Sequence, residues 1–188
     1  MARGRAGRGG CHHARIELRL LTAADVSDVD ELISDPETLH FTRVPEPPPE
    51  GFARSWYERY ERRRADGEGE AFAIAGDDGA FLGLALAPTI DEEAAEAELG
   101  YIVAAHSRGR GVASGALELL TRWAFDERGV QRAYLLIDVD NPASKRVAER
   151  AGYRLEGVMR STYLKQGRRG DTQLWARLPG DPPVTTAR

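Results

Sequence analysis

A chain of 188 residues and 20.7 kDa is sized for one compact domain, and 41% hydrophobic residues supply a core that a disordered chain lacks. Its 20 glycines and 10 prolines follow no fixed period and its apolar runs are short, which excludes collagen-like and membrane-spanning readings. Four arginines and no acids fall in the first fifteen residues, so the remainder holds 22 basic against 30 acidic residues; that net of −8 argues against a nucleic-acid partner and favours a cationic substrate.

The single cysteine, Cys11, can form neither an internal disulfide nor a thiolate zinc cluster, and no metal is expected. The segment from Met1 to Arg15 is rich in Arg and Gly, carries His12 and His13, and lacks the apolar stretch of a secretory signal. It reads as a disordered leader, with a metal- or RNA-contacting arm as the competing account. The chain is expected in the cytoplasm, with no membrane partner. The folded domain is expected over 16–178, followed by a flexible tail over 179–188.

Ile16 to Leu20 alternates apolar and polar, the period of a half-buried strand. Thr22 and Asp25 have capping-box spacing, and Val26, Val29, Leu32 and Ile33 then recur at helical intervals until Asp35-Pro36. Between Pro36 and Glu50 four further prolines predict a loop. Phe52, Trp56 and Tyr60 predict a second helix ending at Gly67; with Tyr57 they could wall a substrate site, although aromatics at this spacing more often fill a core.

Ala71–Ala75 and Phe81–Leu86 flank Gly76-Asp77-Asp78-Gly79, a hairpin signature. The acidic run Asp91–Glu96 reads as a solvated hairpin loop or as a lure for a cationic amine. Ala97–Val103 is a further strand. After the turn Arg108–Ala113 comes a helix with Val112, Ala116, Leu119, Leu120 and Trp123 on its apolar face, ending near Gly129. Ala133–Ile137, almost continuously apolar, predicts a strand covered on both faces. Asn141-Pro142 opens another helix and Gly152 closes it. Tyr153–Leu164 reads as a long strand, 166–170 as a turn and Thr172–Leu178 as the last strand, giving a mixed α/β sheet.

A Gly-rich turn between a strand and a helix is an anion site, because glycines allow positive φ and the first helical N–H groups lack partners. Arg108-Gly109-Arg110-Gly111-Val112-Ala113 fits that pattern, and its two arginines would add charge-assisted contacts to a phosphate. A turn serving only to reverse the chain is the alternative. Neither a P-loop ending nor full dinucleotide-turn spacing is present.

This hexapeptide resembles the Q/R-x-x-G-x-G/A signature of the GNAT superfamily of acyl-CoA-dependent N-acetyltransferases, with Ala113 at the G/A position. The preceding Ala97–Val103 is similar to that superfamily's fourth strand. Asp140-Asn141-Pro142-Ala143-Ser144, the stretch Glu149–Gly157 and Gly167–Asp171 look most like the branch of ribosomal-protein N-terminal alanine and serine acetyltransferases. The resemblance covers Ile16 to about Leu178. It implies an α/β (α+β) single domain with a central mixed, mostly antiparallel seven-stranded sheet and about four helices.

It also implies acetyl-CoA as co-substrate. The diphosphate would lie on the amides of Gly109, Gly111, Val112 and Ala113, and the pantetheine arm beside Ile102 and Val103, with Asn141 bonding a pantetheine amide. Asn141 as a plain N-cap is the competing role. Glu98 stands where the family often places the base that frees the amine lone pair; a solvent-facing carboxylate is the other reading. The family's common tyrosine acid is absent, since its position holds Ala148, and Ser144 is implicated in its place, against an ordinary first-turn serine. His40 and His106 are assigned no role.

The expected reaction is direct transfer of an acetyl group to an amine, with no thiol intermediate because the one cysteine lies in the tail. The branch resemblance favours a protein N-terminal α-amine. A small amine of aminoglycoside or polyamine type, a non-catalytic acyl-CoA-binding module, and a phosphate-ligand binder unrelated to CoA are the alternatives, and the choice between monomer and homodimer stays open.

Overall fold

The computed structural model describes residues 15–181. Cys11, His12, His13 and all of the expected leader but Arg15 lie outside the described residues, as does most of the expected C-terminal tail.

Seven strands form one sheet: β1 (Ile16–Leu20), β2 (Glu70–Gly76), β3 (Phe81–Asp91), β4 (Glu96–Val103), β5 (Arg132–Asp138), β6 (Arg154–Lys165) and β7 (Arg168–Arg177). Their spatial order is β1-β2-β3-β4-β5-β7-β6. Every neighbouring pair is antiparallel except β4 and β5, which run parallel. The helices are α1 (Val26–Ser34), α2 (Pro36–Phe41), α3 (Phe52–Ala65), α4 (Val112–Asp126) and α5 (Pro142–Arg150). The parallel pair requires a crossover, and α4 supplies it.

Each face of the sheet is sealed by its own core. Leu99, Val103, Leu117, Leu120 and Ala148 belong to the cluster beneath α4 and α5. Val29, Leu32, Trp56, Tyr60, Leu84 and Leu86 belong to the cluster beneath α1 and α3. Trp56 and Tyr60 are thus core residues, stacked with ring centres 4.4 Å apart, while Phe52 and Tyr57 pack at their margin.

Three expectations need correction. Residues 36–50 are not loop throughout, because α2 occupies the first six of them: Asp35 caps it by accepting the Thr38 N–H at 2.8 Å, and Pro36 takes the first turn, where no N–H is needed. The strand β5 is not covered equally on both sides; Ala133, Leu135 and Ile137 are buried while Tyr134 and Leu136 are only half-buried. The turn expected over 166–170 shrinks to Gln166-Gly167, whose positive φ values of 48° and 74° suit a two-residue hairpin.

Candidate active site

Only three residue pairs register β4 against β5: Glu96 with Arg132, Ala97 with Ala133 and Glu98 with Tyr134. Beyond Glu98 the two strands separate. On its other side β4 stays paired to β3 from Gly100 to Val103, and β5 stays paired to β7 through Asp138. The separation therefore opens a V in mid-sheet, where backbone groups of β4 face a gap rather than a strand.

A cleft of about 440 Å³ fills this V. Leu99 to Val103 form one wall and Leu135 to Asp138 the other, the turn of Arg108, Gly109 and Gly111 with Asn141, Ser144 and Arg146 closes one side, and Glu37, Thr38, Phe41 and Thr42 of α2 and its end close another. Its lining mixes apolar strand residues with hydroxyl groups, Asn141 and the charged Glu37, Arg108, Asp138, Arg146 and Arg150, a make-up suited to an elongated ligand with both apolar and polar parts.

The turn before α4 is built as the sequence predicts. Gly109 and Gly111 have φ of 72° and 81°, and Gly111 is the N-cap of α4 with no side chain satisfying the helix's first amides. The first helical hydrogen bond runs from Gly115 N–H to Gly111 C=O at 3.1 Å. The N–H groups of Val112, Ala113 and Ser114 precede it, and all three residues line the cleft. A fifteen-residue helix aims the positive end of its dipole there.

The two arginines of that turn part from their expected use. Arg110 is exposed and is not among the residues of the cleft wall. Arg108 does line the cleft, yet its guanidinium is spent on protein groups: Asp35 Oδ2 at 2.5 Å, Glu37 Oε2 at 2.8 Å, Thr38 Oγ1 at 3.1 Å and Val103 O at 3.2 Å. The reason lies in α2, whose N-cap Asp35 and first-turn Glu37 both meet the guanidinium.

Ile102, Val103, Gly109, Gly111, Val112, Ala113, Asn141 and Ser144 all meet at the cleft. Asn141 Oδ1 accepts the Ser144 N–H at 2.9 Å, the N-cap of α5, and its Nδ2 group is left to donate elsewhere. Ala148 is fully buried in the core, so no polar group stands at the position of the family's tyrosine.

Glu98 occupies the last position of β4 paired to β5, at the apex of the V; strand alternation with Leu99 and Ile102 puts its side chain on the α1–α3 face, and it is not among the residues of the cleft wall. It is half-buried and makes no hydrogen bond among the described residues. Burial pushes its carboxyl above the ordinary value, opposed by the Arg43 charge. Burial raises the phenols of Tyr60 of α3 and Tyr134 of β5, and the Glu98 charge acts in the same direction on both, opposed by Arg59 at Tyr60 and by Arg132 at Tyr134.

Two groups escape sequence reasoning. Tyr101 Oη and Ser107 Oγ are buried without a hydrogen-bond partner among the described residues, and both residues line the cleft. Burial raises the Tyr101 phenol to about 12, with the Ser144 side chain acting the other way. Strand alternation places Tyr101 on the α4 side, but nothing in the sequence distinguishes it from a core tyrosine. Across the cleft mouth, Tyr163 of β6 donates to Asp138 of β5, and Lys165 donates to the carbonyls of Leu39 and Thr42.

Residues 15–154 match the family described as acetyltransferase (GNAT) domain. The putative ribosomal N-acetyltransferase YdaF of Bacillus subtilis (strain 168) is 30% identical over 101 residues, 54% of this chain and 55% of that protein, so the match spans about half of that curated relative. The structure of RimL, a ribosomal L7/L12 α-N-protein acetyltransferase in complex with coenzyme A, aligns with a TM-score of 0.80 and 22% identity over 87% of this chain and 93% of that one. A spermidine N-acetyltransferase from Vibrio cholerae, in complex with CoA and spermine, aligns with a TM-score of 0.79 and 21% identity over 88% and 96%.

Proposed function

Since the chain belongs to the GNAT acetyltransferase family and uses acetyl-CoA as acyl donor, we propose that it acetylates the N-terminal α-amine of a protein by direct transfer at the apex of the β4–β5 V. The observation that carries the transfer is Glu98: an unbonded, half-buried carboxylate with a raised pKa, standing where the strands begin to part.

The residues present fit acetyl-CoA. The free amides of Val112, Ala113 and Ser114 and the turn amides of Gly109 and Gly111 suit a diphosphate, and the margin of β4 that faces the gap suits a pantetheine arm running beside Ile102 and Val103, with the Val103 carbonyl already accepting from Arg108 Nε. The Nδ2 group of Asn141 is a donor for a pantetheine carbonyl while Oδ1 holds the helix cap. Acetyl-CoA contributes an activated thioester. Glu98 accepts the proton that the amine must lose to attack with a lone pair, directly or through water. Ser144 offers a hydroxyl toward the departing sulfur, the role left open by Ala148. The amine nitrogen bonds to the acetyl carbonyl carbon, the carbon–sulfur bond breaks, Ser144 relays a proton to the departing thiolate, and the proton taken up by Glu98 is returned through water, so that amide and thiol are the products.

Two observations support a protein N-terminus as acceptor: the relation to YdaF, and the Arg43 charge acting on both Glu98 and Tyr163. A cation near Glu98 suits an amine followed by peptide carbonyls better than a polyamine, whose several charges call for several carboxylates. The spermine-bound fold relative keeps polyamine transfer as the second reading. Incubation with labelled acetyl-CoA and a panel of N-terminal peptides, spermine and aminoglycosides decides it. Label on peptide α-amines is expected, and label on spermine alone overturns the choice of acceptor.

A further inference from the structure

The guanidinium of Arg108 connects three pieces of chain that are distant in sequence. Its Nε donates to the carbonyl of Val103, the last residue of β4, and its two Nη groups donate to Asp35, Glu37 and Thr38 in the first turn of α2. Asp35 also caps α2, so its Oδ2 receives both the Thr38 N–H at 2.8 Å and the Arg108 Nη2 at 2.5 Å. A six-residue helix cannot hold its own place, since so short a segment gains too little from its own hydrogen bonds. Its other end is fastened by Lys165, which donates to Thr42 O at 3.0 Å and to Leu39 O. Between these two ties, Glu37, Thr38, Phe41 and Thr42 wall the cleft.

We infer that Arg108 is a positioning residue that fastens α2 to the coenzyme turn, so that the anion-binding turn and the α2 wall of the cleft move as one unit. This rests on the reading that coenzyme A occupies the cleft. Arg108 immediately precedes Gly109, whose left-handed backbone belongs to the turn that would fix an anion. Whatever orders that turn restrains the arginine's main chain, and its planar fork passes the restraint to two carboxylates on α2. By linkage, a coenzyme that orders α2 must itself bind better when α2 is ordered. Arg108 also neutralises two acids that would otherwise face the diphosphate, a second way in which it serves a ligand it need not touch.

The charge-balanced variant Arg108→Gln/Glu37→Gln tests this, because it removes the fork and leaves the Asp35 cap. Hydrogen exchange of segment 35–42 and calorimetric titration with coenzyme A are measured on wild type, on this variant and on Lys165→Met, with melting curves confirming that each is folded. In wild type, coenzyme A slows exchange of the segment. In the double variant, the free protein exchanges about tenfold faster there, coenzyme A affinity falls by less than about tenfold, and the protective response is lost. Lys165→Met also speeds exchange but keeps the response, which separates coupling from mere anchoring. Should the double variant fail to fold, Arg108→Lys, which keeps the charge and loses the fork, is expected to show the same loss of response. Affinity weakened tenfold or more with unchanged exchange in 35–42 would instead make Arg108 a coenzyme ligand and overturn the inference, as would a wild-type segment indifferent to coenzyme A. A wild type that binds no coenzyme A overturns the reading of the cleft itself, while the exchange difference between the free proteins still reports on the tether.

Discussion

Glu98 has the environment of a carboxylate base whose proton affinity is raised by burial. Desolvation disfavours its charged form, so its protonation midpoint lies above the ordinary 4.5, and the rising limb of kcat/KM against pH is expected to lie above that value, with activity gained as the carboxyl loses its proton. Glu98→Gln should lower kcat by about 10²-fold or more while leaving acetyl-CoA affinity nearly unchanged; unchanged turnover in steady-state assays removes Glu98 from the mechanism. Asn141 carries two roles on two atoms, and substitutions can divide them. Asn141→Asp keeps an oxygen for the Ser144 N–H and loses the amide donor, so it should preserve melting temperature and weaken acetyl-CoA binding. Asn141→Ala should lose both, with about 1 kcal/mol of stability gone with the cap. Calorimetry and thermal melts on the pair check the division.

At the scale of elements, two local arrangements position the site. Gly83 lies in β3 with φ of 147°, and a Cβ built there would stand 2.1 Å from the carbonyl oxygen of Ile102 in β4. Only glycine permits that approach of the two strands. Gly83→Ala should destabilise by about 2–4 kcal/mol and weaken coenzyme binding, because the strand segment it displaces carries Ile102 and Val103 of the cleft wall; denaturant melts and titrations measure both. At the start of α1, buried Asp25 accepts from Arg19 at 2.5 and 2.9 Å and from the Thr22 N–H and hydroxyl, each at 2.9 Å. The Arg19 hydrogen bond holds the Asp25 carboxyl below its usual 3.8. A depressed carboxyl contributes stability that is complete above the unfolded value and disappears as pH falls through the folded one. Asp25→Asn should therefore cost about 1–3 kcal/mol at neutral pH and flatten the acid limb of the stability profile below pH 4.

Legibility in the sequence follows the same division. The α5 helix was readable because its signals are adjacent: Asn141 at the cap, Pro142 in the first turn and Gly152 after the end. Asp35-Pro36 carries the same pair of signals, yet the four later prolines outweighed it and α2 was missed. The Gly109 and Gly111 turn was legible because positive φ has few residue solutions. The destination of the Arg108 side chain was not, since Asp35 lies 73 positions away and nothing local links them. Nor was the opening of the V, which depends on β5 following β7 rather than β4, a choice made by register across the sheet.

For the whole molecule, the two cores and the V are one design. Helices α1 and α3 seal one face and α4 and α5 the other, leaving an opening within the sheet where β4 and β5 diverge. A ligand that pairs with β4 in that opening adds contacts to both sides at once, so its binding should be visible as global stabilisation. Coenzyme A should raise the melting temperature, and ADP, which reaches only the turn, should raise it much less at equal concentration; equal shifts would indicate a phosphate site without a place for the arm. Among the described residues no helix is long and apolar enough to cross a membrane.

An unpaired strand margin normally invites other chains to add on, and proteins blunt such margins with charge, as the outer strands here do with Glu17 and Arg19 on β1 and Arg154, Glu156 and Arg160 on β6. The interior margin of β4 needs no such defence. It is recessed between two strands and walled by α2, so a slender arm can reach it while another protein's sheet cannot, and the backbone can stay available for recognition without becoming a seed for aggregation.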